Sequence, residues 1–243
     1  MGQPPFRFKR FLVDQTGVAH PVGTDSVLLG SWAEIDGAHH ILDIGSGSGL
    51  LALMLAQRTE NSRPPAHIAG VEIHDESCRC ATGNFNRSPW ASRLSIVHCA
   101  IQAFEVRADE KFDLIVSNPP FFTETVVSPR RLRRISRSAA TLSPGDLLHA
   151  VKRLLFENGR FCAILPPAEG YRLCEWGALA GLYCTRLTRV YPRRDKAVER
   201  LLIQLERNPY PFRQSSLVIY SSGEQYTPEF LHLTGEFYLT PEA

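Results

Sequence analysis

Asn118, Pro119, Pro120 and Phe121 follow the apolar run KFDLIV (111–116) after a single serine. Proline fixes φ and lacks an N–H, so two in a row end a strand and stiffen its tip. A strand end in an α/β sheet is where ligands bind, and Phe121 and Phe122 hang beside this stiffened tip. Upstream, the apolar run ILDI (41–44) leads through Gly45, Ser46, Gly47, Ser48 and Gly49 into LLALMLAQ. Glycines let the backbone turn tightly and let a ligand approach it, and a helix N-terminus presents free N–H groups.

Asp43, directly before that loop, repels a pyrophosphate and attracts a cation. Position 50 is Leu, a departure from the dinucleotide fingerprint, and the Gly-Lys-Ser/Thr of a phosphate loop is absent. Glu72 closes HIAGVEI (67–73), and a carboxylate at a strand tip beside a glycine loop can accept hydrogen bonds from both hydroxyls of a ribose. Taken singly, NPP is a turn and Glu72 a solvated acid; in this order they converge on one ligand. A cationic amino-acid end joined to a ribose describes S-adenosylmethionine.

Short apolar runs alternating with amphipathic stretches must position these groups. Strands are expected at ILDI, HIAGVEI, LSIVHC (94–99), FDLIV (112–116) and RFCAIL (160–165), with helices at LLALMLAQ, ESCRCATGNFNR (76–87) and GDLLHAVKRLLF (145–156). The alternation demands a parallel sheet with right-handed crossovers and helices on both faces. CTRLTRVY (184–191) and ERLLIQLE (199–206) are joined by a link too short for a helix, which predicts an antiparallel pair at the sheet edge. FRFKRFLVDQTG (6–17) reads as a short hairpin, and a helix begins at Thr24 or Asp25 with Val27, Leu28 and Trp32 on its apolar side. The chain reads as one domain: a hairpin-and-helix addition over 1–36 and a catalytic core over 37–243.

The composition, 44% hydrophobic and 21% charged over 243 residues, is that of an ordinary soluble globular protein. The apolar runs are too short to cross a bilayer, and the N-terminus lacks the features of a secretory signal. Six cysteines without a C-x-x-C pair and eight histidines without ligand spacing point away from zinc and disulfides, toward a reducing cytoplasm and no metal. No G-x-S-x-G elbow is present. Trp32, Trp90 and Trp176 are expected in the core or as caps. The net charge of +2 says little, but PRRLRRISR (129–137) carries five arginines without an acid, and 186–194 add four more. Such runs are either solvated faces or phosphate-contacting surfaces.

DIGSGSG, GVEI and SNPPF, in that order, resemble the motifs of class I S-adenosylmethionine-dependent methyltransferases, and NPPF resembles the N/D-P-P-Y/F motif of enzymes that methylate planar nitrogens. The motif implies that the Asn118 side-chain oxygen and the Pro119 carbonyl accept both N–H bonds of a ring-conjugated amine, a poor nucleophile whose delocalised lone pair is thereby drawn toward tetrahedral geometry, while Phe121 offers the ring a stacking face. A narrower resemblance covers nearly the whole chain. FRFKRF, VGTDSVLLGSWA, NFNRSPWASRL and YTPEFLHLTGEFYL are similar to the bacterial tRNA1(Val) (adenine(37)-N6)-methyltransferase family. It implies a Rossmann-like, twisted, mostly parallel seven-stranded sheet with the last strand antiparallel. It also implies methyl transfer from S-adenosylmethionine to N6 of adenosine 37, just 3′ of the tRNA anticodon. Carried over, Asp43, Gly45, Ser46, Gly47, Glu72, Ile73, Ala100, Ile101 and Asn118 would line the cofactor site, Lys9, Gly23, Thr24 and Asp25 would cap the cofactor or approach the RNA, and Asn118, Pro119, Pro120 and Phe121 would form the catalytic pocket. Phe122, Arg130, Arg131, Arg133 and Arg134 would meet RNA at the mouth of the pocket.

Two positions depart from the family pattern: Pro21 stands where a Lys is usual, and Ala100 where relatives carry an acid for the cofactor's adenine amino group. The NPP motif also serves protein-glutamine N5 and ribosomal guanine-N2 methyltransferases, and a non-catalytic RNA-binding relative would keep the same fold. The expected partner is tRNA, with no membrane and, most simply, a monomer. Removing the charges of Arg130, Arg131, Arg133 and Arg134 together is expected to weaken tRNA binding and flatten its salt dependence. A salt titration of the quadruple variant with an unchanged slope would return the run to a solvated face.

Overall fold

The computed structural model describes residues 4–18, 21–107, 110–120 and 142–239. A two-stranded hairpin, β1 (Phe6–Arg7) with β2 (Leu12–Val13), is followed by α1 (Thr24–Trp32). The core then alternates β3 (His40–Ile44), α2 (Leu50–Arg58), β4 (His67–Glu72), α3 (Asp75–Arg87), β5 (Leu94–His98) and β6 (Phe112–Ser117). It resumes with α4 (Pro144–Leu154), β7 (Leu155–Leu165), α5 (Pro167–Leu179), β8 (Tyr183–Tyr191), β9 (Arg200–Glu206) and β10 (Arg213–Val218). A small hairpin, β11 (Tyr220–Ser222) with β12 (Gln225–Tyr226), and α6 (Pro228–Thr234) complete it.

The main sheet runs β10-β8-β9-β7-β6-β3-β4-β5. Only β9 is antiparallel, to β7 on one side and β8 on the other. The expected antiparallel pair is present, but not at the edge. The connection of β7 to β8 through α5 places β8 one strand beyond β9, and β10 then adds parallel to β8 as an eighth strand. The helix over 167–179 had no counterpart in the sequence reading.

Strand side chains alternate between faces, and here both faces are buried. Ile41, Leu114, Val116, Cys162, Ile164 and Leu202 join one apolar core with α1, α2, α3, α6 and the N-terminal hairpin. Leu42, Ile44, Ile115, Phe161, Ala163, Leu201 and Ile203 join the other with α4 and α5. This explains why these strands read as continuous apolar runs. Of the three tryptophans, Trp32 and Trp90 are buried as expected, whereas Trp176 on α5 is 41% exposed.

Arg186 lies over the Trp32 ring at 4.0 Å, bonds to the Trp32 carbonyl at 3.1 Å and pairs with Glu34 at 3.3 Å. That arginine of the second basic run is a structural brace, not part of a solvated face.

Gly49 occupies the left-handed region (φ +80°), and a Cβ there would sit 2.4 Å from the Phe85 ring. Its smallness lets α3 close on the start of α2. Gly49→Ala is expected to cost roughly 2 kcal/mol from positive φ and overpacking, read as a lower urea midpoint. An unshifted midpoint would contradict this packing argument.

Candidate active site at the strand tips

β3, β4 and β6 are adjacent and parallel, so their C-terminal ends lie together; Asp43 registers with Gly70 on one side and Val116 on the other. The Ser117 hydroxyl donates to the Ile44 carbonyl at 2.9 Å and ties the β6 tip to β3. Beyond β3 the glycine loop folds back over β4: the N–H groups of Gly45 and Ser46 donate to the Val71 carbonyl at 2.8 and 3.2 Å. Gly45 (φ +74°) and Gly47 (φ +55°) adopt left-handed geometry. A Cβ on Gly45 would meet no atom within 4 Å, so its open side is free for a ligand.

Glu72 holds this loop in place. One carboxylate oxygen accepts from the Gly47 N–H at 2.9 Å and the other from the His74 N–H at 2.8 Å, and the side chain is nearly buried. Each oxygen keeps a further lone pair for a hydroxyl donor.

Asn84 of α3 supports the loop from below. Its amide donates to the Ser48 carbonyl at 2.8 Å and the Asp14 carbonyl at 3.0 Å, and accepts from the Asp14 N–H at 2.9 Å. Asn84 and Ser117 escaped the sequence reading. The only sign of Asn84 was its place in NFNR.

Asp43 is fully buried, and neither carboxylate oxygen makes a hydrogen bond of normal geometry. Burial, opposed by the Ser46 hydroxyl and the Ala52 N–H and aided by nearby Glu72, pushes the carboxyl from 3.8 up to about 7; the Ser46 hydroxyl also bonds to the Asp43 backbone carbonyl at 3.1 Å. Because the carboxylate touches no solvent, its effect on a ligand acts electrostatically through the loop. A cation resting above the loop favours the ionised form and is held by it.

Asn118 follows Val116 by two residues, so alternation turns it to the same side of the sheet as α1. Its amide nitrogen donates to the Ser26 hydroxyl at 3.0 Å. No partner for its oxygen occurs among the described residues. Pro119 is buried beside it and Pro120 exposed. Phe121, Phe122, Arg130, Arg131, Arg133 and Arg134 lie outside the described residues.

The remaining expected positions divide. Ile73 is partly exposed next to Glu72, and the His98 ring bonds to its carbonyl at 2.9 Å. Ile101 instead packs in the core with Phe104 and Phe112. The Ala100 carbonyl accepts from the Ala103 N–H at 2.9 Å and closes a turn just past β5.

Lys9 is placed elsewhere: its amine donates to the Gly235 carbonyl at 2.6 Å, and neighbouring Arg10 pairs with Glu60, past the far end of α2 from the glycine loop. The hairpin runs along the core with its turn at the opposite end from the loop. Asp25 is held by Arg200 at 2.8 Å, and Thr24 is exposed at the start of α1. Lys9 and Asp25 brace the addition against the core.

The family model of the methyltransferase small domain matches residues 22–157. A tRNA1(Val) (adenine(37)-N6)-methyltransferase of Tolumonas auensis is 39% identical over 243 residues, covering all of both chains. Its namesake from Mannheimia succiniciproducens is 41% identical over 96% of this chain and 94% of its own. Among solved structures, a predicted O-methyltransferase from Agrobacterium tumefaciens superposes with a TM-score of 0.66 at 18% identity, covering 88% of this chain and 96% of that one. A glycopeptide N-methyltransferase complexed with S-adenosylmethionine gives 0.55 at 11% identity, covering 77% and 100%. These two likenesses concern the fold alone.

Asp43 generates a pH test. Its folded value lies above its unfolded one, so protonation favours the folded state. That contribution is full below about pH 4 and is lost as pH rises through about 7. The ligand-free protein is expected to lose melting temperature from pH 4 to 7 more steeply than Asp43→Asn. Parallel pH profiles of the two would show that Asp43 does not titrate this way. By model match and full-length identity together, the chain belongs to the tRNA1(Val) (adenine(37)-N6)-methyltransferase family, within the methyltransferase small domain.

Proposed function

We propose that this protein transfers a methyl group from S-adenosylmethionine to N6 of adenosine 37 in tRNA1(Val). The observation that carries the reading is the Asn118 amide at the β6 tip. It is fixed at its nitrogen end, its oxygen has no partner among the described residues, and it lies one strand from the glycine loop.

The residues fit the cofactor. The loop leaves open backbone at Gly45, and Glu72 keeps lone pairs for ribose hydroxyls. Buried Asp43 supplies negative charge beneath an ammonium. Bound there, S-adenosylmethionine supplies a methyl group activated on a sulfonium.

The protein's own part is positioning. Asn118 Oδ1 and the Pro119 carbonyl accept the two N–H bonds of the adenine amine, localising its lone pair and aiming it at the loop. Phe121, two residues beyond Pro119, is the stacking face for the base. The product cation loses its proton readily, so no general base is required before attack. The target adenine must leave its stack, which costs a few kcal/mol in a duplex and less in an anticodon loop. Arg130, Arg131, Arg133 and Arg134, following NPPFF in sequence, offer compensating phosphate contacts.

Purified protein, S-adenosylmethionine and unmodified tRNA(Val) are expected to yield N6-methyladenosine, measured by mass spectrometry of the nucleosides. Asn118→Ala is expected to lower turnover about 100-fold or more while sparing cofactor binding. Methyl label in any other nucleoside, or none in RNA, would overturn the substrate assignment.

A further inference from the structure

Asn118 Nδ2 donates to Ser26 Oγ at 3.0 Å, a contact between the β6 tip and a helix 92 residues earlier in the chain. We propose that Ser26 is a positioning residue: its hydroxyl accepts from the Asn118 amide nitrogen and so holds the side chain in place with its oxygen free for the substrate amine. This rests on the reading that Asn118 receives an amine. A carboxamide is nearly symmetric in shape, and its two ends have opposite hydrogen-bonding character. An amine with a delocalised lone pair offers only donors. Turned the wrong way, Asn118 would set its own donors against them. Turned the right way, its NH2 needs an acceptor on the far side, and Ser26 is that acceptor.

The helix that carries Ser26 has little freedom. Val27, Leu28 and Leu29 are fully buried, and Asp25 is held to Arg200 at the start of β9 by a 2.8 Å contact. Gly30 lets Met54 of α2 approach so closely that an added Cβ would sit 2.7 Å from its sulfur. Ser26 is therefore delivered to Asn118 by packing on three sides. The N-terminal addition thus takes part in the chemistry through one hydroxyl, rather than only covering the core.

Two measurements test this. In the ligand-free protein, the Asn118 side-chain amide signals, identified by their loss in Asn118→Ala, are expected to shift and exchange faster in Ser26→Ala. In turnover with tRNA, Ser26→Ala is expected to lower kcat about 10- to 100-fold, the equivalent of one buried hydrogen bond left unmade. The KM for S-adenosylmethionine and the melting temperature should stay near wild type. Ser26→Thr, which keeps the hydroxyl, is expected to restore both the amide signals and kcat.

Amide signals indifferent to Ser26→Ala, wild-type kcat in that variant, or a Thr variant as impaired as the Ala variant would overturn the proposal. A wild-type protein that makes no N6-methyladenosine, yet whose Asn118 amide responds to Ser26→Ala, would remove the functional reading and leave the anchor standing.

Discussion

Burial of both faces of the sheet is the constraint from which the rest follows. With Ile41 and Leu42, Leu114 and Ile115, and Leu202 and Ile203 pointing into opposite cores, a polar group in mid-strand would have to be desolvated on either side. Chemistry is thereby confined to the strand tips. Asp43, Glu72 and Asn118 stand at or just past the ends of three neighbouring strands. Asp43 is the exception that shows the cost: still one residue inside β3, its carboxyl is driven up to about 7 by burial. Ser117 and Glu72 tie the tips and the loop together, each through a 2.9 Å hydrogen bond.

The N-terminal addition and the C-terminal helix form the other half of the frame. Stacked rings run from Tyr220 and Tyr226 through Phe230, Tyr238 and Phe8 to Phe11, which meets Trp90 edge-on. Aromatic pairs of this kind add roughly 0.5–1.5 kcal/mol each beyond their burial. They fasten the hairpin along the helices of one face, and Lys9 joins the hairpin to Gly235. With the hairpin fixed, α1 is clamped between α2 and β9, and its first turn reaches the β6 tip through Ser26.

Much of this was legible in the chain. Continuous apolar runs, glycines at 45, 47 and 49, an acid at 72 and a proline pair at 119–120 each carry a local physical meaning that the fold respects. What was not legible depends on tertiary neighbours. β10 (RQSSLV) is polar because it is an edge strand exposed along most of its length, so it lacks the apolar signature of a strand. Helix α5 buries only Gly170, Leu173 and Gly177, which leaves Tyr171 and Trp176 outside and blurs its periodicity. The insertion of β9 between β7 and β8 goes with the packing of α5, whose Gly170 and Gly177 sit against Leu201, Ile203 and Leu205 of β9. Lys9 and Arg186 look like ligand-binding cations in sequence, and only their partners reveal them as braces. Ser26 gave no signal, since a serine in a helix acquires a role only from the amide placed opposite it.

The central claim is that a sulfonium methyl donor rests on the glycine loop facing the amide of Asn118. A crystal structure of this protein with S-adenosylhomocysteine tests it most directly. The account predicts ribose hydroxyls on the Glu72 carboxylate and the thioether sulfur turned toward Asn118 and the Pro119 carbonyl. A ligand with its sulfur directed away from that corner, or bound elsewhere on the sheet, would contradict it.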